Sequence, residues 1–449
     1  MTTLSTPSSP SPTVFVDAQP TLPLVHLMIA GQGGAHLEPA PLAGLAVFHS
    51  RMLRRGSGTL DTAAFEAEID RLGAELLVDT QCSTFAVHGT VLRRNLAPFV
   101  RLICQMFAAP RFDDAEIDRL KREIEAQRVE VLDSDDALSR LAFRRTMLAG
   151  HPYGRPLGGT RESIAPIDAC ILHDYHRKAF PRDRLTFGFA GSITQVEAEA
   201  VAAEIDAAIP RPSESVSLAV SAVPPLGGRH LLIVNKAERT QTQLLVGTRG
   251  SHPHDPDHAA LGVGVAIFGG TFTSRLVREI RSKRGWSYSV SARISSERIR
   301  TSFVMSAQPS VSDSGPCLGL MLGLLSDWIE KGITARELGG MRKYLTRSSV
   351  FDRDTAHKRM HRAVEERVLE LGDGYHDRWL ASVATLALDE VNAAIASRID
   401  AAALRVVAVC TEAELGVALA AAVPSLVSRK VVSAEAIAQG IPLEPVAAA

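Results

Sequence analysis

The sequence predicts two α+β domains in tandem, each a β-sheet covered by helices, and three observations carry that expectation. The chain has 449 residues, and single hydrophobic cores stop growing at about 250 residues. A stretch rich in proline, serine and glycine, residues 210–229, interrupts the periodic apolar pattern near the middle. On either side of it the same order recurs: strand, helix, hairpin, helices, strand. The expected layout is a disordered Ser/Thr/Pro-rich N-terminus over 1–12, a first domain over 13–209, a linker over 210–229 and a second domain over 230–449.

In the first half, LVHLMIA (24–30) reads as a buried strand and is followed by a helix near 41–54. A second helix starts at Asp61 and places Phe65, Ile69 and Leu72 on one face. Residues 75–92 read as a strand pair. The segment 113–132 is a long helix, with Asp113 and Glu116 in a capping-box pattern and Ile117, Leu120, Ile124 and Val131 at helical spacing. LTFGFAG (185–191) is a further strand. In the second half, HLLIVNK and QTQLLVGTR are strands, DPDHAALGVGVAIFGG is a helix ending in glycines, and WSYSVSARI alternates like a strand. Two long helical regions precede a last strand at LRVVAVC.

Bulk composition narrows the function. Lysine plus arginine (49) nearly cancels aspartate plus glutamate (50), so a strongly basic nucleic-acid surface is not expected. No stretch approaches the ~20 apolar residues of a membrane span. The five cysteines, Cys82, Cys104, Cys170, Cys317 and Cys410, are scattered and odd in number. None has zinc-knuckle or redox-motif spacing, which predicts reduced thiols in a cytoplasmic protein. The N-terminus shows no basic region followed by an apolar run, so export is not expected.

Four stretches carry chemistry. In GLAVFHSRMLRRGSG (44–58), Leu45, Phe48 and Met52 share one helical face while Val47, Ser50 and Arg51 lie together on the next. HPYGRPLGGTRESI (151–164) and HDYHRKAFPRDRLTFGFAGSI follow. In FGGTFTSRLVREIRSKRGWSYSVSA (268–292), Arg281 falls in the last turn of a helix capped near Thr273, Gly285 ends that helix, and WSYSV continues as a strand. A guanidinium and a phenol at such a junction can both donate to a developing oxyanion. The plainer alternative is that Arg281 complements the helix dipole and Tyr288 packs in the sheet.

From about residue 24 to its end, the chain resembles the pitrilysin/insulysin family of zinc peptidases, in the short two-chain form related to mitochondrial processing peptidase. SRL followed by RSKRGWSY, together with HPYG, carries the resemblance. It implies two homologous domains, each with a mixed, largely antiparallel sheet. The family's H-x-x-E-H motif binds zinc through two histidines and activates water with the glutamate. Register from GLA and ML places Val47, Ser50 and Arg51 at those three positions. Valine has no lone pair for a metal, arginine is effectively always protonated, and serine replaces the carboxylate base poorly. The third ligand falls near Gln127, with Glu123, Glu125 and Glu130 in neighbouring register. No metal is therefore expected in this chain. His49, a lone imidazole on that helix, has an expected structural or surface role.

The resemblance assigns Arg281 and Tyr288, seven residues apart, to holding substrate and stabilising the oxyanion. It implies a non-catalytic subunit that forms a heterodimer with an H-x-x-E-H homologue, zinc sitting in that partner. The partner would bind peptide as an added strand. No nucleic acid and no membrane are expected as partners. The alternatives are a proteolysis-independent scaffold and a peptide-binding homodimer. Three other clusters have competing readings. HPHDPDH (252–258) reads as a metal site or a loop whose aspartates cap the next helix. His173 and His176 read as parts of a helix and turn. FGGTFTS is a weak phosphate-cradle match, lacking a G-K-[ST] ending.

Overall fold

The computed structural model describes residues 12–181, 184–210, 217–219, 222–299 and 301–441. The expected disordered N-terminus, apart from Pro12, and positions 211–216, 220 and 221 of the expected linker lie outside the described residues.

The first half runs β1 (Thr13–Ala18), β2 (Leu24–Gln32), α1 (Leu45–Met52), α2 (Thr62–Leu72), β3 (Glu75–Thr80) and β4 (Thr84–Leu92). It continues with α3 (Leu96–Ala108), α4 (Asp114–Asp133), α5 (Asp135–Met147), α6 (Arg161–Ile164), α7 (Ala169–His176), β5 (Leu185–Gly191) and α8 (Gln195–Ala208). The second half opens with β6 (Arg229–Asn235), β7 (Gln243–Thr248), α9 (His258–Val265), β8 (Val290–Ser296) and β9 (Thr301–Ala307). Helices α10 (Ser314–Lys331), α11 (Ala335–Ser348), α12 (Ala356–Val368), α13 (Tyr375–Thr385) and α14 (Leu388–Arg398) follow. Then come β10 (Arg405–Cys410), α15 (Glu412–Ala421), β11 (Leu426–Ser433) and α16 (Ala434–Ala438).

The two sheets are versions of one design. The first has the order β1-β5-β2-β4-β3 and the second β11-β6-β10-β7-β9-β8. Without β11 the orders correspond strand for strand. In each, one parallel pair (β1 with β5, β6 with β10) leads into three antiparallel pairings. The expected fold of two homologous α+β repeats, each a mixed, largely antiparallel sheet, is what the chain forms. Among the described residues no single helix is long and apolar enough to cross a membrane.

By contacts the chain gathers into two compact units that differ from the segments 13–209 and 230–449. One comprises Met1–Lys121, Ser163–Ala219 and Phe351–Gly374; the other comprises Arg122–Glu162, Val220–Val350 and Tyr375–Ala449. The strands stay with their own half of the sequence, but α5 packs on the second sheet and α12 on the first. The reason is that each sheet has two faces to cover. In the first sheet Val25, Leu27 and Ile29 face one way and are buried. The alternate residues Met28 and Ala30 face the other way, onto Ala356, Met360 and Val364 of α12. A Cβ on Gly188 would lie 2.4 Å from the Met360 sulfur, so glycine there lets the helix sit down on the sheet. Gly247 does the same under α5, where a Cβ would come within 2.6 Å of the Phe143 ring. The opposite face of the second sheet carries an extensive core, which includes Trp328 stacked against Phe268 at 4.5 Å.

Local expectations hold in part. Asp61 caps α2 through the Ala64 N–H at 2.9 Å, with Phe65, Ile69 and Leu72 buried. The capping-box carboxylates of α4 turn instead to arginines, Asp113 to Arg111 at 2.7 Å and Glu116 to Arg55 at 3.0 Å. Strand β8 begins at Val290, so Trp286–Ser289 form the turn ahead of it rather than its first residues. The Ser287 hydroxyl fixes that turn, accepting from the Gln308 N–H and donating to the Ser289 carbonyl.

Candidate functional site

Helix α1 follows β2 and carries the three motif positions. Gly44 precedes it with φ of 95°, a conformation only glycine adopts freely, and Glu38 accepts from the Gly44 and Ala46 N–H groups at its start. Val47 and Arg51 are half-buried and Ser50 is buried. The Ser50 hydroxyl donates to the Val47 carbonyl at 2.8 Å, so it is spent on its own helix. These side chains do not fit a zinc ion: one hydrocarbon, one hydroxyl bonded to backbone and one cation supply no ligand set. Gln127 lies exposed on α4, and Glu125 is paired with Arg128 and Arg161. Among the described residues, no group of three or more His, Cys, Asp or Glu side chains is placed to hold a metal ion.

The interior beside α1 belongs to a histidine pair. His49 is 3% exposed, and its Nε2 lies 2.9 Å from Nδ1 of His176. His176 Nε2 in turn lies 2.7 Å from the Phe107 carbonyl. A carbonyl can only accept, so His176 carries its proton on Nε2 and presents Nδ1 as an acceptor; His49 therefore donates from Nε2. Both rings are neutral in this chain of hydrogen bonds. Burial lowers the pKa of His49 well below its ordinary value and takes His176 to about 4. Phe112, Tyr175 and Phe180 close around His49, with ring centres 5.1 to 5.8 Å away. The role of His49 is structural. Its partner, 127 residues away, carried no sequence signal beyond its place in HDYH.

The second candidate lies after α9. A π-helical stretch, Ala266–Gly270, continues that helix, a turn over Thr271–Ser274 follows, and a second π-helical stretch spans Val277–Ser282. Such widened turns recur at functional sites because they re-aim side chains. Arg281 lies in the second stretch, and Gly285, at φ of 67°, turns the chain back with its N–H on the Arg281 carbonyl. The Arg281 guanidinium lies over two rings, its central carbon 4.2 Å from the centre of Tyr288 and 4.6 Å from that of Phe272. Both rings stand out in solvent, Tyr288 82% exposed and Phe272 71%.

Sequence reasoning singled out Arg281 and Tyr288 as candidates and did not name Phe272, which the structure brings beside them. The π-helical offset that brings position 272 over position 281 has no sequence signal. The turn bearing Phe272 is tied to α11 by a bidentate ion pair, Arg275 to Glu337 at 2.7 Å on both oxygens. Burial raises the Glu337 pKa, but Arg275 and the Thr334 backbone outweigh it and hold the carboxyl down at about 2. The neighbouring cations Lys283 and Arg284 are both paired with Glu279. Arg281 has no carboxylate or hydrogen-bond partner among the described residues. A guanidinium held over aromatic rings still has N–H donors to offer a carbonyl or carboxylate oxygen.

The remaining clusters resolve into structure. In HPHDPDH, Asp255 and Asp257 pair with Arg398 at 3.1 and 2.7 Å, and His252 Nε2 meets the Glu297 and Arg298 carbonyls. Asp257 precedes α9 without a side-chain cap, because its carboxylate goes to Arg398. His173 packs against Phe112 at 4.9 Å.

Two repeated sheets, and a motif helix emptied of its ligands, define a peptidase-like protein with no zinc ligands at its motif positions. The chain belongs to the M16 (insulinase) peptidase family and is an inactive member of it. Residues 14–161 match insulinase (peptidase family M16), and residues 167–345 match the peptidase M16 inactive domain. The non-peptidase homolog YmxG of Helicobacter pylori is 21% identical over 391 residues, 84% of this chain and 87% of that one. An uncharacterized zinc protease of Mycobacterium leprae is 29% identical over 262 residues, a match spanning 57% of this chain and 58% of that relative's length. A solved peptidase M16 inactive domain from Pseudomonas fluorescens shares the fold with a TM-score of 0.82 at 22% identity, over 89% of this chain and 96% of the other.

Proposed function

We propose that this chain is the non-catalytic subunit of a heterodimeric zinc metallopeptidase. A second chain would carry H-x-x-E-H and the zinc, and this one would offer Arg281 and Tyr288 to the bound peptide. The observation that carries the proposal is the exposed stack. Two large aromatic rings held in water around an unpaired guanidinium gain little for folding, about 0.5–1 kcal/mol for an exposed cation–π contact. They make sense as a surface waiting for a partner and a substrate. As a peptide carbonyl becomes tetrahedral its oxygen gains charge, and an Arg281 N–H with the Tyr288 hydroxyl would supply two donors to it. Phe272 would keep the guanidinium flat and correctly turned before the peptide arrives. The substrate class is unfolded peptides or a small precursor. A cytoplasmic setting suits five cysteines that form no disulfide.

Co-expression with an H-x-x-E-H homologue of similar length, followed by size-exclusion chromatography and peptide turnover, tests the proposal. We expect co-elution, turnover by the pair and none by this chain alone. A homologue that is fully active alone and never co-elutes would sink the subunit reading. A stable pair whose turnover ignores Arg281 and Tyr288 would leave a scaffold, and self-association alone would leave the homodimer.

A further inference from the structure

The face of the second sheet beneath α5 holds a small pocket of about 210 Å³, room for about seven waters at ~30 Å³ each. Four arginines line it, Arg140 and Arg144 from α5, Arg249 just past the end of β7 and Arg293 from β8, and none of the lining residues is acidic. Two of the four are anchored by backbone carbonyls. Arg144 donates to the Tyr153 carbonyl at 2.7 Å, and Arg249 donates to the carbonyls of Val223, at 2.8 Å, and Pro224. Arg140 pairs with Asp136 one turn back on its own helix, at 2.7 Å. Arg293 has no hydrogen-bond or ion-pair partner among the described residues. Four guanidinium groups thus line a pocket whose own lining holds no carboxylate.

Such an arrangement works against folding on its own. Arginine stays protonated in proteins, so burial cannot be relieved by neutralisation. Burial lowers the pKa of Arg293, with the charge of Arg140 adding to it and that of Asp136 opposing it, and burial alone lowers that of Arg249. A packing role does not need the charge. Phe143 already seats α5 on the sheet at Gly247, and a methionine would fill the space of Arg293 without the cost of an unpaired cation. Polar donors of a second kind stand beside the arginines. Ser295 and Ser302 are cross-strand partners on the same face of the β8–β9 ladder as Arg293. Planar forks held by carbonyls, with hydroxyls alongside, suit a compact ligand with several oxygens and more than one negative charge.

We propose that this pocket is a binding site for a small phosphate, either free inorganic phosphate or diphosphate or the terminal phosphates of a nucleotide. It lies within one compact unit and does not rest on the peptidase reading. The full chain is titrated at low ionic strength with inorganic phosphate, with diphosphate and with ATP, by calorimetry and by thermal melting. Chloride at matched ionic strength and glutarate serve as controls. We expect one site per chain, a rise in melting temperature with phosphates, and little response to the controls. Tighter binding of ATP than of diphosphate identifies the nucleotide as the source, and the reverse identifies the free ion. Arg293→Met should weaken binding at least tenfold while raising the melting temperature of the unliganded chain, since it removes an uncompensated charge. Arg249→Gln should weaken binding as well, and Arg71→Gln, at an exposed position of α2, should leave it unchanged. The site is refuted if phosphates bind no better than glutarate or chloride, or if Arg293→Met binds as the parent does.

Discussion

The stretches after β2 and after β7 occupy the same place in the two repeats, and they have gone opposite ways. After β2, the helix has been absorbed into the interior: Ser50 bonds its own backbone, and His49 is sealed among Phe112, Tyr175 and Phe180. After β7, the chain holds a half-buried Arg281 beside two exposed rings and leaves it without an acid among the described residues. The difference teaches that equivalent stretches of two repeats can be closed by packing in one and left open to solvent in the other. The emptied motif helix is filled with packing and satisfied hydrogen bonds, whereas the Arg281 turn stays under-paired in the free chain, as the proposed partner role would require.

Breaking the open site should matter most. In the assembled pair, Arg281→Ala should slow peptide turnover about a hundredfold, the ~2–4 kcal/mol typical of a lost oxyanion donor. Melting temperature and co-elution should not change, and a variant that turns over like the parent would return Arg281 to helix-end electrostatics. The closed site should behave in reverse. His49→Ala leaves a cavity and strips the His176 acceptor of its donor, which should cost about 2–3 kcal/mol in urea unfolding, with turnover unaffected in the folded pair.

The pH dependence sharpens the same contrast. His49 and His176 are both depressed in the folded chain, so above about pH 6.5 neither state carries the extra protons and stability is complete. As pH falls the unfolded chain protonates first, and the pair alone should cost about 1.4 kcal/mol between pH 7 and 6. The loss continues until His176 protonates near pH 4. Burial also depresses His26 on β2, His88 on β4 and His357 on α12, so the whole chain will be steeper. The double variant His49→Phe/His176→Phe, melted across that range, isolates the pair, and an unchanged slope would mean that these rings are not buried neutral. The smallest effect belongs to Phe272→Ala, which removes one face of the stack. A loss of about 0.5–1 kcal/mol, a few-fold in turnover, is expected without change in stability.

Much of this was written plainly in the chain. Alternating apolar residues marked the strands, the repeated order marked the two sheets, and substitution of a hydrocarbon, a hydroxyl and a cation at 47, 50 and 51 marked the missing ligands. What could not be read depends on meetings between distant segments. The His49–His176 bond spans 127 residues. Phe272 reaches Arg281 through π-helical turns that no periodicity announces. The arginines under α5 come from a helix, the residue after one strand and a second strand, each unremarkable alone. Sequence pattern reports which face of an element is apolar, not which element will cover it, and so the exchange of α5 and α12 was invisible.

That exchange has a consequence for how the protein is made. A chain emerges from its N-terminus, and the first sheet has all five of its strands once residue 191 is out. Its second face, with Met28, Ala30 and Ala190, must still wait for α12, which is not complete until residue 368. For about two-fifths of its synthesis the nascent protein therefore displays a greasy, unclaimed sheet face, the kind of surface on which chaperones act and on which partly made chains stick to one another. Contacts of such long sequence separation also slow folding after release. The maturation of this protein is governed less by either repeat than by the late arrival of one thirteen-residue helix.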